Sequence, residues 1–316
     1  LALVLIWGSS FLLMKVGLEA LTAVQISALR ILSGAVVLLG LLFARGGRLP
    51  TGARVWGHLL VCGFFLGALP FTLFALSETR ISSALAGIGN AATPIATVLA
   101  TMAILPGERA AGRRLGAVGV GFLGVITIMQ PWTATDRPDL VGFSMALIGG
   151  ASYGIGWTYN RKFLSGVDLG GLSQPAATLT SALVLMVPFV VTWALLQPEG
   201  LAAIWAYDAA GVGDLPWLPL LCVLVLGVVG TGFAYMLQFD VVRGAGPVIG
   251  STITYLIPVL SVLLGVLVLG EHLGPSQIVG FVIALGAAFV NNQKPAARPA
   301  TDATASTVGE VTTTAR

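Results

Sequence analysis

The chain has 316 residues, of which 56% are hydrophobic and only 9% are charged, and its formal net charge is +3. Soluble domains carry about 25% charged residues, so this composition cannot cover a water-facing surface and predicts an all-α integral membrane protein. The small net charge gives no indication of a nucleic-acid partner, and membrane lipids are the expected surroundings.

Apolar runs separated by polar breaks predict ten membrane-spanning helices, because backbone groups in lipid have to be satisfied within the segment. The first run is short against the roughly 20 residues of a spanning helix, and the sequence starts without a methionine, so we expect that a few N-terminal residues are missing. After Asn292 the composition turns to Ala, Thr and Pro, which predicts a disordered tail over 293–316. In chain order the predicted helices are 1–19, 24–44, 56–78, 82–105, 113–130, 139–160, 173–196, 216–239, 246–269 and 276–292.

The distribution of Lys and Arg predicts how these helices are oriented. With the N-terminus inside, twelve cations fall in inner loops or the tail and two fall in outer loops, which follows the positive-inside rule. Both termini are therefore predicted to be cytoplasmic. The inner cations are Arg45, Arg48, Arg54, Arg109, Arg113, Arg114, Arg161, Lys162, Arg243, Lys294, Arg298 and Arg316, and the outer ones are Arg80 and Arg137.

Two stretches of the chain are alike and predict an internal repeat. "TPIATVLATMAILPGER" (Thr93–Arg109) and "IPVLSVLLGVLVLGEH" (Ile257–His272) both have a proline near the start and Gly-Glu at the end, and their prolines lie 164 positions apart. This offset is five predicted helices, an odd number, so the second copy is inverted. The prediction is two inverted five-helix repeats over 1–131 and 139–292. Two such bundles can rock between outward-open and inward-open states, the usual route to alternating access.

Each part of this motif has a local role. A proline inside a helix removes one backbone hydrogen bond and bends the axis, so Pro94 and Pro258 are predicted hinges. Gly107 and Gly270 can end their helices in the left-handed conformation. The glutamate after each glycine would then lie at the start of the next helix, where a negative charge favours the helix dipole. We predict that these glutamates are helix caps without a role in substrate binding.

The segments "WGSSFLLMKVGLEALTAVQISALRILSGA" (Trp7–Ala35) and "GRRLGAVGVGFLGV" (Gly112–Val125), together with the paired Pro…Gly-Glu helices, resemble the EamA-type branch of the drug/metabolite transporter superfamily. The resemblance covers roughly residues 1–292 and implies a ten-helix fold of two inverted repeats in a bacterial inner membrane. It implies that helices 1, 3, 4, 6, 8 and 9 line a central cavity and that members export amino acids and other small metabolites. The small multidrug exporters of this superfamily place a glutamate in the middle of the first helix. This chain has Trp7–Ser10 there, so proton-coupled export of lipophilic cations is not expected.

Polar and aromatic side chains near the middle of the predicted helices form the candidate substrate site. Taken singly, each is more typical of helix packing than of ligand binding. Taken together, they could form an apolar pocket with a few hydrogen-bonding groups, which suits small, neutral or zwitterionic, partly apolar molecules. The candidates are Trp7, Ser10, Phe71, Asn90, Tyr153, Trp157, Tyr235, Gln238 and Tyr255.

Two cations lie within helix ends, and each has more than one interpretation. Lys15 could pair with Glu19 one turn on or extend its ammonium group outward. Arg30 lies about one and a half turns into the second helix, roughly 8–9 Å at 1.5 Å per residue. Buried charges in membranes are functional by default, so Arg30 is either structural or linked to substrate or to a gate.

The sequence contains no arrangement typical of an enzyme. No cluster of His, Asp and Glu has metal-ligand spacing, and no GxxxxGK(S/T) loop supports ATP-driven pumping. Cys62 and Cys222 lie in apolar runs, where cysteine behaves as a small hydrophobe, so they indicate no disulfide or redox site. We expect no catalytic residue, no metal and no cofactor.

The sequence favours a secondary transporter that exports small metabolites, such as amino acids or related compounds, by alternating access across the inner membrane. The rival within transport is an antiporter of phosphorylated sugars or nucleotide-sugars, which would call for several deep cations, and Lys15 and Arg30 alone qualify. The rivals outside transport are a membrane scaffold and a lipid-modifying enzyme, and the inverted repeat argues against both. We expect a monomer or homodimer that binds a small-molecule substrate.

Overall fold

The structure is a computed structural model that describes residues 2–105, 112–130, 139–207 and 217–292, with the backbone alone for 112–115, 242–255, 288, 291 and 292. All regular secondary structure in these ranges is helical, which confirms the all-α prediction. The predicted tail 293–316 and the Gly107–Glu108 pair lie outside the described residues.

Thirteen α-helices are present in these ranges, and two π-helical segments join α4 to α5 and α11 to α12. The α-helices are α1 (Ala2–Gly8), α2 (Ser10–Gly17), α3 (Ala23–Ala44), α4 (Ala53–Gly63), α5 (Leu69–Glu78), α6 (Ser83–Gly89), α7 (Ala92–Ile104), α8 (Gly112–Met129), α9 (Leu140–Leu164), α10 (Ser173–Leu195), α11 (Leu218–Gly227), α12 (Ala234–Leu269) and α13 (Pro275–Asn292). The π-helical segments are Phe64–Ala68 and Val228–Phe233, and Gly200–Ile204 is a 3₁₀-helix.

Six helical segments of the described chain are long and apolar enough to cross a membrane. Each has at least 22 residues, which exceeds the roughly 20 that a spanning helix needs. Four further apolar helices are shorter, with 10–17 residues. The chain is therefore a multi-pass membrane protein, while the count of ten spans stays a prediction. The six segments are Ala23–Ala44, Ala53–Glu78, Ser83–Ile104, Leu140–Leu164, Ser173–Leu195 and Leu218–Val241.

One predicted break is not found. The sequence predicts separate helices over 216–239 and 246–269, divided at Gly244, whereas α12 runs without interruption from Ala234 to Leu269. Glycine disfavours a helix by about 1 kcal/mol relative to alanine but does not forbid it, so Gly244 alone does not force a break. With 36 residues, α12 is about 54 Å long at 1.5 Å per residue. This length exceeds the thickness of the hydrocarbon core of a membrane, which is about 30 Å.

The helix ends follow ordinary capping chemistry. Thr22 and Gln25 form a capping box at the start of α3, and the Asp139 carboxylate accepts a hydrogen bond from the Gly142 nitrogen at the start of α9. Gly270 ends α12 in the left-handed conformation with φ of 65°, as predicted. These caps satisfy backbone groups that a helix end leaves unpaired.

The helices pack around three clusters of buried apolar side chains. α1 packs against α12, α7 against α9, α2 against α11 and α5 against α9, while α8 and α13 lie along each other. α3 contacts α10, α11 and the second π-helical segment. The first cluster includes Met14, Ile26, Phe74 and Phe143, the second includes Leu38, Phe71, Leu179 and Phe239, and the third includes Leu59, Leu66 and Leu164.

Candidate functional site

Several predicted site residues meet where the buried clusters join. Tyr153, on α9, packs against all three clusters. Trp7, on α1, packs against the first and second, and Trp157, on α9, packs against the second and third. Phe71 and Tyr235 belong to the second cluster. We call these five residues the aromatic site.

Ring contacts connect part of the aromatic site. The ring centroids of Phe71 and Tyr235 are 6.4 Å apart, those of Tyr235 and Phe239 are 6.3 Å apart, and those of Trp157 and Phe239 are 5.3 Å apart. These separations fall within the range of favourable aromatic pairs. Phe239 was not among the predicted site residues, yet it joins Trp157 to Tyr235.

Two members of the aromatic site donate hydrogen bonds to the π-helical segments. The Tyr235 hydroxyl donates to the Leu66 carbonyl, and Trp7 Nε1 donates to the Gly230 carbonyl at 3.1 Å. A π-helical turn departs from i→i−4 pairing, and such turns are frequent at functional sites. Since buried polar groups need partners, these bonds satisfy both side chains within the protein.

The other predicted polar residues are placed differently. Ser10 donates back to the Ile6 carbonyl at 3.1 Å, and Asn90 accepts a hydrogen bond from Thr93 at 3.3 Å. Gln238 is buried, and its Oε1 has no hydrogen-bond partner among the residues that the structure describes. For Tyr255 the structure describes the backbone alone. Ser10 and Asn90 therefore make local contacts, and Gln238 keeps an unpaired oxygen.

Arg30 reaches the aromatic site from α3. Its Nε donates to Thr231 Oγ1 at 2.9 Å, and its guanidinium carbon lies 3.9 Å from the centroid of the Phe71 ring. Thr231 belongs to the second π-helical segment and donates its own proton to the Leu226 carbonyl at 3.2 Å. Arg30 is only 5% exposed, so this cation is buried among aromatic groups and does not extend to the membrane surface.

Of the two interpretations that the sequence left open for Lys15, the pair with Glu19 is not found. Its Nζ donates to the carbonyls of Glu78 at 2.7 Å and Ile81 at 3.3 Å. α2 ends at Gly17, so Glu19 lies beyond the helix with an exposed side chain. The last carbonyls of a helix have no intrahelical partner, and a cation there also favours the dipole. Lys15 therefore caps the C-terminus of α5.

Glu271 caps a helix, but not the helix that the sequence predicts. Its carboxylate accepts hydrogen bonds from the backbone nitrogens of Ser83 at 2.7 Å and Ala84 at 2.9 Å, and from Ser83 Oγ at 3.1 Å. These groups start α6, whereas the expected helix was the one that follows Glu271 in the chain. Glu271 caps α6 because the tertiary structure brings the end of α12 to the start of α6.

Glu78 is a buried carboxyl group that the sequence did not single out as a site residue. Its side chain is 0% exposed, and neither carboxylate oxygen has a hydrogen-bond partner in the described part of the chain. It interacts electrostatically with Lys15, Glu271 and Arg30. The signal that could have found it is an acidic residue inside an apolar helix, which is a functional candidate by default.

The two predicted hinge prolines have different surroundings. The helix is interrupted at Asn90–Ala91, between α6 and α7, one turn before Pro94. Proline has no N–H to offer to the carbonyl four residues back, which here belongs to Asn90. α12 instead continues through Pro258. The hinge role of both prolines stays a prediction.

Comparison with known proteins gives a family, two relatives and a solved structure. The model of the EamA-like transporter family matches residues 1–130 and 140–293. The chain is 24% identical over 273 residues to the "Uncharacterized inner membrane transporter YedA" of Escherichia coli (strain K12), covering 86% of this chain and 82% of that protein. It is 23% identical over 297 residues to a "Probable amino-acid metabolite efflux pump" of the same organism, covering 92% of each chain. A solved crystal structure has a similar fold, with a TM-score of 0.57 at 19% identity, covering 92% of this chain and 97% of the other.

Proposed function

The chain belongs to the EamA-like transporter family, and from this premise we propose that it is a secondary transporter that exports small metabolites by alternating access. The proposed substrates are amino acids or related compounds. The observation that carries the proposed mechanism is the matched construction of the two halves of the chain.

The π-helical segments repeat at the offset of the sequence motif. Phe64–Ala68 and Val228–Phe233 begin 164 positions apart, as do the two motif prolines. A glycine precedes each segment and allows a close helix contact. A Cβ atom on Gly63 would lie 2.6 Å from a backbone nitrogen of α10, and one on Gly227 would lie 1.7 Å from a serine oxygen of α3. Since α3 and α10 are the second predicted helix of each repeat, these contacts are equivalent.

A second pair of close contacts is also equivalent. A Cβ atom on Gly8 of α1 would lie 2.7 Å from Leu260 of α12, and one on Gly154 of α9 would lie 2.9 Å from Ala96 of α7. Leu260 follows Ala96 by 164 positions, the offset of the repeat, whereas Gly154 follows Gly8 by 146 positions. The two glycines are therefore matched by the order of their helices and not by that offset. In the repeat, the first helix of each half thus contacts the fourth helix of the other half. This exchange supports a pseudo-two-fold arrangement of 1–131 and 139–292.

Such an arrangement supports alternating access on physical grounds. Two halves with equivalent contacts can exchange their roles at the two membrane faces, so inward-open and outward-open states have similar energies. The aromatic site lies between the halves, with Trp7 and Phe71 from the first half and Tyr153, Trp157 and Tyr235 from the second. A substrate bound there would be reached from one face at a time.

The composition of the aromatic site supports a small, partly apolar substrate. Ligand sites are lined mainly by apolar and aromatic groups, with a few polar groups that fix the orientation of the ligand. The name of the Escherichia coli efflux pump refers to amino-acid metabolites, and we extend that substrate class to this chain as part of the proposal.

The charges in the structure do not favour the rival function in transport of phosphorylated sugars. Phosphate groups call for several cations, but the Lys15 ammonium group is already bonded to the carbonyls of Glu78 and Ile81. Arg30 is then the one cation among the described side chains that reaches the aromatic site.

The described residues contain no group of three or more His, Cys, Asp and Glu that could hold a metal ion.

We propose an inner-membrane location with both termini cytoplasmic. The relative YedA is named as an inner membrane transporter, and the positive-inside bias of the loops supports the orientation.

Counterflow in proteoliposomes tests the proposed function. Vesicles that contain the purified chain and a high concentration of an unlabelled amino acid should accumulate the labelled amino acid transiently, without ATP or an imposed ion gradient. The overshoot is expected because one site exchanges its ligand between the two faces. Protein-free vesicles are the control. Counterflow of sugar phosphates alone would favour the rival, and simple equilibration without an overshoot would indicate a channel.

A further inference from the structure

Arg30 uses only part of its hydrogen-bonding capacity. Its Nε is held by Thr231, while its two terminal nitrogens donate no hydrogen bond to the residues that the structure describes. An arginine side chain carries five N–H donors in a planar fork. The end of that fork, with its two parallel donors, is therefore free.

The charge of Arg30 also lacks a direct partner. The ion pair found among the described residues joins Arg80 to Asp139 at 3.3 Å, and no described carboxylate lies within 4.0 Å of the Arg30 guanidinium. Glu78 is the carboxylate that interacts with Arg30 electrostatically, without such contact. A buried charge without a hydrogen-bonded counter-charge is costly, so this arrangement is suited to an anionic ligand.

The groups around Arg30 limit what that ligand can be. Phe71 covers one face of the guanidinium plane, and Tyr153 and Tyr235 are close enough to interact with it electrostatically. The Tyr235 hydroxyl is bonded to Leu66, whereas the Tyr153 hydroxyl donates to no residue in the described ranges. Around the free end of the fork, the structure therefore offers aromatic rings and one free hydroxyl group.

We propose that Arg30 binds the carboxylate group of the transported molecule, with the apolar remainder of the molecule against the aromatic site. This inference rests on the proposed function and narrows its substrate class to small monocarboxylates with an apolar or aromatic side group. A carboxylate matches the end of the guanidinium fork with two parallel charge-assisted hydrogen bonds. Thr231 and Phe71 hold the guanidinium group in position for it.

The other charged groups at this end of the helices do not compete for that role. Lys15 donates to two backbone carbonyls, and the Glu271 carboxylate accepts from the start of α6. Glu78 interacts with Arg30 electrostatically but is not in direct contact with it and adds no positive charge. The single cation of Arg30 therefore fits a carboxylate and not a doubly charged phosphate.

A series of ligands that differ in the carboxylate tests this inference on the unaltered protein. Labelled phenylalanine, phenylalaninamide and 3-phenylpropionate share one aromatic group, and the amide alone lacks a carboxylate. In counterflow, we expect the two carboxylates to be transported and the amide to compete about 10- to 100-fold more weakly, the effect of losing a hydrogen bond to a charged group. This measurement does not depend on any variant being folded.

Substitution of Arg30 then assigns the discrimination to this residue. Arg30→Gln should abolish the preference for phenylalanine over phenylalaninamide. Arg30→Lys keeps the positive charge but not the forked pair of donors, so this variant should keep part of the preference. Arg45→Gln removes an exposed arginine and is the matched control, with the full preference expected.

The outcomes separate the inference from the proposed function. Equal transport of the amide and the two carboxylates, or an intact preference in folded Arg30→Gln, would leave transport standing and overturn the role of Arg30. If no labelled compound shows counterflow, the proposed export of amino acids fails, and the inference fails with it.

Discussion

Tyr235 joins α12 to the π-helical segment Phe64–Ala68, because its hydroxyl group donates to the buried Leu66 carbonyl. Tyr235→Phe keeps the ring and removes the donor, which leaves a buried carbonyl unpaired at a cost of about 1–3 kcal/mol. We expect a lower thermal stability of the purified protein and little change in the substrate KM, since the protein itself occupies the hydroxyl. Unfolding followed by tryptophan fluorescence and counterflow kinetics measure the two quantities.

Tyr159→Phe is the matched control for this prediction. The Tyr159 hydroxyl lies 2.8 Å from His58 Nδ1, and both side chains are partly exposed, so water can replace the lost partner and the loss of stability should be smaller. A large rise in KM at Tyr235→Phe without a loss of stability would place this hydroxyl on the substrate instead.

Asp139 makes the stability of α9 depend on pH from outside the membrane-spanning segment. The hydrogen bond from the Gly142 nitrogen, at 2.6 Å, and the exposed pair with Arg80 hold the pKa of Asp139 below its usual range. Because the pKa is lowered by folding, the stabilisation is fully present above the unfolded value of about 4 and is lost as the pH falls through the folded value.

Asp139→Ala should therefore lower the melting temperature at pH 7, and the difference from the parent should shrink as the pH falls below about 4. Asp168→Ala, at an exposed carboxylate that caps no helix, is the control. Melting curves between pH 3 and 7 give both differences. A constant difference for Asp139→Ala over the whole range would mean that the charge of the cap contributes nothing.

The sequence predicts important residues more readily than it predicts their partners. Lys15 and Glu271 were both recognised from their positions, but their expected partners were near them in the chain. Their actual partners are 63 to 66 and 187 to 188 positions away, on helices that only the fold brings together. Pro70 lies four residues after Leu66 and has no N–H to offer to its carbonyl, so the sequence does mark that acceptor. The Gly230 carbonyl has no such mark in the sequence.

At the scale of elements, interruptions inside spanning segments place backbone carbonyls next to the aromatic site. The two π-helical segments supply the carbonyls for Tyr235 and Trp7, and α6 gives way to α7 at Asn90–Ala91. The last interruption could be expected from Pro94. The π-helical segments could not, since an inserted turn has the same apolar composition as the helix around it.

The two motif prolines give a matched test of the hinge prediction. The Asn90 carbonyl now accepts a hydrogen bond from the Thr93 nitrogen at 3.1 Å, because Pro94 has no N–H to offer it. Pro94→Ala supplies that N–H and should let α6 and α7 join, which would slow turnover while membrane insertion stays intact. Pro258→Ala alters a helix that is already continuous, so its effect on turnover should be smaller. The turnover of both variants is measured as the counterflow rate at equal protein amounts. A rate for Pro94→Ala equal to that of the parent would contradict the hinge role of Pro94.

At the scale of the whole molecule, composition is enough to predict an all-helical membrane protein, because 9% charge cannot cover a soluble surface of this size. The boundaries of most helices also follow from the polar breaks. The break at Gly244 was wrong, since α12 continues through it, and a glycine marks a helix end only when the surrounding packing favours one. The contacts between helices of the two halves, such as α1 with α12 and α7 with α9, were not predicted, because they join residues that lie far apart in the chain.

Orientation is a separate prediction at this scale. With Cys62 and Cys222 replaced by alanine, a single cysteine at Thr51 should stay unmodified when an impermeant maleimide is added to intact cells, because the loop 45–54 is predicted to be cytoplasmic. A cysteine at Glu199, in a loop predicted to face outward, should react quickly. The reverse pattern would overturn the predicted orientation of the spans.

The central claim is that one site between the two halves is reached from each membrane face in turn. Ser10 lies beside Gly230, whose carbonyl accepts the hydrogen bond from Trp7 of the aromatic site. Ser10→Cys in the same cysteine-free background changes a single atom. We predict that an impermeant maleimide modifies this cysteine both in right-side-out and in inside-out vesicles, and that substrate on one side shifts the ratio of the two rates. Ser181→Cys, packed between α4 and α10, should react from neither face. Modification of Ser10→Cys from one face only, whatever the substrate, would contradict alternating access.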